Sequence, residues 1–412
     1  MDTLKHRQKQ TEKFINKSFL KEELLFEQLK IINKDADDQA IKQAIKTLIS
    51  LQQENPSDLK PNLKFTNWLQ NGITVSYKQN NEQKGKTIKL VDFENIENNI
   101  FEISQQDSFQ EKNKDKKIPD LIVWLNHIPI VVMELKNPID PNTTIEDAYK
   151  QLRNYMYDIS SVFIYNTFLV ISDLSESKIG TITSSFEHFK SWKTKDGKEY
   201  LSKKEINWEV FFEGIFQKEI LLDIIKNFIC FKDDQETKII ASYHQYWGVK
   251  KALARVKDIN ENKDKNKPKG GVVWHTQGSG KSIFMVFLSK LVRRILENVT
   301  IVVITDRNDL DSQLYSTFDS FSEFLQQKPV QMESREDLKE KLIKQKVNGI
   351  FFSTIQKFEA DSKTLSTREN IIVIADEAHR SHYGFYDEME IKNEETYKEK
   401  KRFCSNFKNF IA

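Results

Sequence analysis

The sequence predicts an α/β chain in two parts, residues 1–234 and 235–412. Three observations carry that prediction. In the first part, Ile118–Leu125 and Ile130–Lys136 read as strands of a hairpin turned by Asn126-His-Ile-Pro129, with helical stretches before and after it. In the second part, Val272-Val273-Trp274 reads as a buried strand that runs through a small-residue loop into Lys281-Ser282, the start of an apolar helix. Two more apolar runs, 299–304 and 371–375, deliver polar residues at their carboxyl ends, as buried strands of a parallel sheet do.

With 412 residues the chain can hold two or three sizeable cores. Its 63 Lys and Arg against 61 Asp and Glu give a formal net charge of +2, which neither argues for nor excludes a nucleic-acid partner. Any such contact must come from local patches. Cys230 and Cys404 match no metal or redox spacing, which suits a reducing cytoplasm. The amino terminus has no apolar signal core, and no apolar run is long enough to span a bilayer.

In chain order, residues from about 12 to 32 have helical periodicity, and a second helix follows Asp35-Ala-Asp-Asp38 with Ile41, Ala44, Ile45 and Leu48 on one face. Residues 72–77 and 87–93 read as strands joined by a polar turn. Beyond the hairpin, a helix from about Ile145 carries Gln151 and Tyr155, which share a face because they are four apart. Residues 161–164 and 167–171 read as two core strands, and 211–214 and 219–228 as helices closing the first part before the polar stretch Lys232-Asp-Asp-Gln235.

The hairpin carries the first chemistry. Side chains alternate across a strand, so Glu134 and Lys136 leave on one face while Asp120 stands at the mouth of the partner strand. Facing carboxylates repel unless a cation separates them. Asp120 and Glu134 would hold Mg²⁺, whose retained waters can act as nucleophiles. Lys136 would orient or deprotonate the attacking water, or steady the transition state. A surface hairpin that merely ends in Glu-Leu-Lys is the plainer alternative.

The second chemistry is phosphate binding. Gln277, Gly278, Ser279 and Gly280 form a loop whose N–H groups face phosphate oxygens at a helix N-terminus. Lys281 would reach the β- and γ-phosphates of ATP, and Ser282 would ligate Mg²⁺. The full pattern wants glycine where this chain has His275. At the end of the last apolar run, Asp376 would hold Mg²⁺, Glu377 would polarise the attacking water, and His379 would couple the γ-phosphate site to its surroundings. Arg307 and Thr354, at two other strand ends, are candidates for sequence-independent DNA phosphate contacts.

Pro119-Asp120, Glu134-Leu-Lys136 and Gln151-x-x-x-Tyr155 together resemble the RecB-like branch of the PD-(D/E)xK nucleases. That resemblance implies a mixed sheet flanked by helices, Mg²⁺-dependent phosphodiester cleavage, and contact of Gln151 and Tyr155 with DNA or the catalytic side chains. It also implies that an acid of the first helix, Glu22, Glu23 or Glu27, joins the metal site. Gln245, upstream of the phosphate loop, resembles the adenine-reading glutamine of superfamily 2 helicases, whose RecA-like core is a parallel α/β fold.

Both parts in this order resemble the restriction (R) subunit of type I restriction–modification enzymes. The wording that carries it is Trp274-His-Thr-Gln-Gly-Ser-Gly-Lys-Ser282, Thr305-Asp-Arg-Asn-Asp-Leu-Asp311 and Asp376-Glu-Ala-His-Arg-Ser-His-Tyr-Gly384. The resemblance implies a type I site-specific deoxyribonuclease that uses ATP and Mg²⁺, translocates double-stranded DNA and cuts it far from the recognition sequence. Partners would be modification (methyltransferase) and specificity subunits. It runs to about Gly384, so the chain reads as an amino-terminal portion whose RecA-like core is incomplete and whose second core is missing. A RecB-like repair helicase–nuclease, and a truncated remnant that binds DNA or sister subunits without turnover, remain as alternatives.

Overall fold

The computed structural model describes residues 5–6, 13–14, 19–55, 58–79, 82–140, 143–200, 208–261, 270–305, 308–344, 348–354 and 366–376. It is a mixed α/β structure in two compact units, Met1–His244 and Gln245–Ala412.

The first unit opens with two short strands, β1 (Lys5–His6) and β2 (Lys13–Phe14), followed by α1 (Glu22–Ile32), α2 (Asp38–Ser50) and α3 (Lys60–Asn71). The single helix expected over 12–32 is therefore shorter, because the backbone of β2 pairs with β6 (Phe109–Gln110) before α1 begins. Asp37 caps α2 by accepting the Gln39 N–H at 2.7 Å, and Ala40, Ile41, Ala44, Ile45 and Leu48 form its buried stripe. The sequence reading passed over α3. It stops at Gly72, whose φ of +86° admits glycine and whose Cβ would stand 2.8 Å from the Ile88 carbonyl oxygen.

Strands β3 (Ile73–Gln79) and β4 (Glu82–Ile88) pair antiparallel as a ribbon. The expected second strand, 87–93, is displaced toward the amino end. Beyond Ile88 the Asn33 carboxamide takes the place of a strand neighbour, accepting from Lys89 N at 2.8 Å and donating to Lys89 O at 2.9 Å.

The core of the unit is a seven-stranded sheet in the order β1-β5-β7-β8-β9-β10-β11. The strands not yet placed are β5 (Phe101–Gln105), β7 (Leu121–Leu125), β8 (Ile128–Leu135), β9 (Phe168–Ser172), β10 (Ser177–Gly180) and β11 (Lys190–Ser191). Neighbours β8 and β9 run parallel, while β5, β7 and β8 run antiparallel. Helix α4 (Ile145–Asp158), opened by a capping box in which Thr144 N donates to Asp147 Oδ2 at 2.8 Å, packs on β8 and β9.

Residues 161–164, expected as a strand, lie mostly in the short helix α5 (Ser160–Phe163). A brief apolar run does not reveal its period. Here Glu111 Oε1 accepts the Ser161 N–H at 2.7 Å and so satisfies a helix-start donor. Helices α6 (Trp208–Ile215) and α7 (Lys218–Asn227) follow. Residues 232–235, where composition suggested a break, turn the ribbon of β12 (Ile229–Phe231) and β13 (Lys238–Ile240).

The β7–β8 hairpin turns on Asn126 and His127 alone, with φ of 50° and 64°. Two left-handed residues match the twist of a tight hairpin, and Asn tolerates that region best among residues with a side chain. The Asn126 side chain is fully buried. Its oxygen accepts from Ile100 N at 2.8 Å and Gln28 Nε2 at 3.2 Å, and its nitrogen donates to Leu90 O at 2.9 Å and Asn99 Oδ1 at 3.0 Å.

The second unit contains α8 (Tyr243–Glu261), α9 (Lys281–Ile295), β14 (Thr300–Thr305), α10 (Asn308–Asp319), α11 (Ser322–Leu325), β15 (Val330–Gln331), α12 (Arg335–Lys344), β16 (Ile350–Thr354) and β17 (Ile371–Ala375). Its four described strands are all parallel, in the order β15-β16-β14-β17. Val302, Ile304, Met332, Leu338, Leu342 and Phe351 form a core cluster there.

Replacing Asn126 by Ala strips four hydrogen bonds from buried groups and puts a less tolerant residue at positive φ. The expected cost is roughly 2–4 kcal/mol, read as a lower urea midpoint with no change in slope.

Candidate functional site

Glu134 is the penultimate residue of β8 and is 1% exposed, in parallel register with Ile171 of β9. Past the strand end, Lys136 N still donates to Ser172 O at 2.8 Å, so the backbone stays sheet-like and aims Lys136 to the same side as Glu134. Lys136 Nζ donates to Glu134 Oε1 at 3.1 Å and also to Gln151 Oε1. From α4, Gln151 Nε2 donates to the Tyr155 hydroxyl at 2.5 Å, which donates in turn to Ile118 O at 3.2 Å. Asp120 Oδ2 accepts the Leu135 N–H at 2.8 Å across the hairpin. The structure thus brings Asp120, Glu134, Lys136, Gln151 and Tyr155 into one connected cluster.

Its electrostatics are strained in one direction. Burial, and then the charge of Asp120, push the Glu134 carboxyl up to about 7, with Lys136 and Tyr155 pulling the other way. Burial chiefly, with the Glu134 and Asp120 charges, also raises Tyr155 well above the ordinary phenol range. Glu134 Oε2 is buried with no hydrogen-bond partner among the described residues. An orphaned carboxylate oxygen beside a second carboxylate fits a hard divalent cation such as Mg²⁺. Glu22, Glu23 and Glu27 are exposed on α1, and no group of three or more His, Cys, Asp or Glu that could hold a metal occurs among the described residues. The inward polar residue of that helix is Gln28, bound to Asn98 O at 2.6 Å. The sequence reading missed it, although it sits in phase with the apolar Leu25 and Leu29.

In the second unit, Gly278 and Gly280 have φ of 76° and 79°, and Gly280 caps α9 at its amino end. The loop is folded by Ser279 N donating to Thr276 O at 3.3 Å, and Lys281 and Ser282 open the helix after Gln277, as expected. Gln245 is buried against the loop, its Nε2 donating to Gly280 O at 3.0 Å. The upstream approach fails: residues 272–274 form no strand, and Val272 and Trp274 are 94% and 93% exposed. An apolar run becomes a strand only with a neighbour to complete its ladder, and no described strand pairs with it.

Asp376 N donates to Ile304 O at 2.9 Å, continuing the β17–β14 ladder and placing Asp376 at the carboxyl end of the parallel sheet. Thr354, expected to meet DNA phosphate, is instead 1% exposed, in register with the equally buried Thr305. Arg307, Glu377 and His379 lie outside the described residues.

Residues 3–188 match a family described as the type I restriction enzyme R protein N terminus, and residues 244–405 match the SWI2/SNF2 ATPase family. The chain is 42% identical over 340 residues to the type I restriction enzyme HindI endonuclease subunit of Haemophilus influenzae, covering 80% of this chain and 32% of that protein. It is 38% identical over 348 residues to the putative type I restriction enzyme MjaIXP endonuclease subunit of Methanocaldococcus jannaschii, covering 78% and 32%. It is 30% identical over 186 residues to the C-terminal part of the putative type I restriction enzyme MpnIIP endonuclease subunit of Mycoplasma pneumoniae, covering 43% and 88%. Fold and matches define the class, an R-protein amino terminus joined to an ATPase whose parallel sheet fits a RecA-like fold. The chain belongs to the family of type I restriction enzyme endonuclease (R) subunits. It spans about a third of the length of the first two relatives.

Two outcomes follow from this geometry. Glu134 binds its proton more tightly folded than unfolded, so between its ordinary carboxylate value of 4.5 and about 7 the folded state loses stability as pH rises. In metal-free protein, Glu134→Gln should therefore raise the melting temperature at pH 8 and leave it nearly unchanged at pH 4. The loop glycines should differ too. A Cβ on Gly280 would stand 2.5 Å from Gln245 Nε2, whereas one on Gly278 meets nothing within 4 Å. Both Ala variants carry the positive-φ penalty of about 1–2 kcal/mol, and Gly280→Ala should lower the melting temperature further than Gly278→Ala.

Proposed function

We propose that this chain carries the cutting site and the first motor core of an ATP- and Mg²⁺-dependent DNA endonuclease and translocase subunit of a type I restriction–modification system. In this reading residues 1–234 are a RecB-like PD-(D/E)xK nuclease domain, and residues 235–412 are the first RecA-like core. The observation that carries it is the convergence of Asp120, Glu134 and Lys136, tied to Gln151 and Tyr155, around a Glu134 oxygen with no partner among the described residues.

Bound between Asp120 and Glu134, Mg²⁺ would supply a Lewis acid and a water acidic enough to attack a phosphodiester. The side chains do the rest. Asp120 is fixed by the Leu135 N–H, so its carboxylate does not reorganise during reaction. Lys136 is held by Gln151 and Glu134, which sets its ammonium where charge develops on phosphate. Tyr155 stays protonated and buttresses Gln151.

In the second unit, residues 277–282 would cradle the ATP phosphates, Ser282 and Asp376 would share Mg²⁺, and Gln245 would bind nucleotide while reporting the state of the loop through Gly280. Glu377, His379 and Arg307 keep the roles that their motifs imply. Double-stranded DNA is the substrate, and modification and specificity subunits are the partners. No described helix is long and apolar enough to cross a membrane, and Cys230 is a free, buried thiol. We place the work in the cytoplasm.

The test is cutting by the complete enzyme assembled with its partner subunits. Lys136→Ala and Asp120→Ala should each lower DNA cleavage by about 100-fold or more while DNA-stimulated ATP hydrolysis persists. Lys281→Ala should abolish hydrolysis. Wild-type cutting by Lys136→Ala removes the nuclease assignment, and an assembled wild-type enzyme that never cuts favours the non-catalytic remnant.

A further inference from the structure

The loop 111–117, directly ahead of Pro119-Asp120, is built more firmly than a connection needs to be. Phe109 and Lys117 close it with two backbone hydrogen bonds of 2.9 Å, Lys114 N turns back to Glu111 O at 3.1 Å, and Asn113 takes a φ of 61°. Three contacts then fasten it to the last turns of α4. Lys117 pairs with Asp158 at 3.0 Å, Lys114 Nζ donates to Tyr157 O at 3.0 Å, and the Tyr155 hydroxyl donates to Ile118 O at 3.2 Å. Lys114 Nζ also lies 3.4 Å from the centre of the Tyr157 ring.

The outward charge on this loop is mainly positive. Glu111 is turned inward onto Ser161 N at 2.7 Å, and Asp115, 3.9 Å from Lys117, is the loop carboxylate that faces solvent beside Lys112, Lys114 and Lys116. Lys112 and Lys116 are exposed, and Tyr157 is 71% exposed even though Lys114 covers one face. Helix spacing explains the pair: Tyr155 and Tyr157 are two apart, so one faces the cluster while the other faces solvent. The orphan carbonyls at the carboxyl end of α4 account for part of what Lys114 does. They do not account for Lys112 or the outward ring. An ammonium has three donors, and Lys114 spends one on Tyr157 O, so it keeps charge and donors for a further acceptor.

We propose that loop 111–117 and Tyr157 form a basic platform that receives the sugar–phosphate backbone of duplex DNA and feeds it to the Asp120–Glu134–Lys136 cluster. This rests on the nuclease reading above. Lys112, Lys114 and Lys116 contact phosphates, and the Tyr157 ring packs on a sugar. Tyr157 of the platform and Gln151 and Tyr155 of the cluster stand on the same helix, α4, so the two are held in a fixed relation. Contacts of this kind carry no base information, so the platform serves any sequence. That suits a nuclease whose specificity lies elsewhere.

The test measures binding of this chain to a short labelled duplex, with Ca²⁺ in place of Mg²⁺, across a salt series. Lys112→Ala/Lys116→Ala should weaken binding roughly tenfold and lower the slope of log affinity against log salt by about 1.8. Tyr157→Ala should weaken binding and Tyr157→Phe restore it. Wild-type affinity and slope in the double lysine variant overturn the platform. Cutting by the assembled enzyme separates the two readings. If Asp120→Ala cuts normally while the lysine variant still loses binding, the platform stands and the nuclease assignment falls. If Asp120→Ala is inactive while the lysine variant binds as wild type, the reverse holds.

Discussion

Glu134 is a carboxylate with almost no exposed surface, set beside a second carboxylate, with one oxygen paired to Lys136 and the other to nothing among the described residues. Such a group is costly to leave charged, and the cost is visible in a proton affinity shifted to about 7. Much of the first unit can be understood as holding that arrangement in place. Strand β9 supports β8 from one side by a parallel ladder that reaches Lys136, and α4 supplies Gln151 to keep the lysine from swinging away. Remove the lysine and the buried charge has no counterion.

The position of the cluster depends in turn on the other end of the same hairpin. A tip of two left-handed residues fixes the β7–β8 register, and in a sheet a slip by one residue would send Glu134 to the opposite face. Asn126 prevents that slip with a largely buried set of hydrogen bonds reaching α1, the chain after β4, and the segment before β5. His127 adds an Nδ1 contact to Glu102 of β5 at 3.0 Å. The polar groups that locate the cluster therefore lie at the other end of its hairpin.

The second unit makes a different compromise. Two glycines at positive φ let the loop fold tightly at the start of α9, and Gln245 occupies the space that a side chain on Gly280 would need. The amide is held by main-chain oxygens of the loop, so movement of the loop and movement of α8 are mechanically linked. Parallel strands β14 and β17 bring Asp376 to the sheet end, where ligands of open α/β sheets are bound.

Local chemistry was legible in the residue order. Asp120, Glu134, Lys136, Gln151 and Tyr155 could be named because strand alternation and helix spacing are short-range rules, and those rules hold inside β8 and α4 whatever surrounds them. The left-handed glycines of the loop and the helix that begins at Lys281 follow from equally local sterics. Long-range pairing lies outside such rules. Whether 161–164 is strand or helix turned on Glu111, fifty residues away, supplying an acceptor. The end of β4 turned on Asn33, and the exposure of 272–274 on the lack of a partner ladder among the described strands. The same holds for Thr354, whose place at a strand end was readable while its burial beside Thr305 depends on which strands become neighbours. The sequence by itself determined which residues could do chemistry and on which faces of their own elements they stand. Only the tertiary structure decided which of those faces meet, because burial and hydrogen-bond completion are properties of neighbours brought together from distant points in the chain.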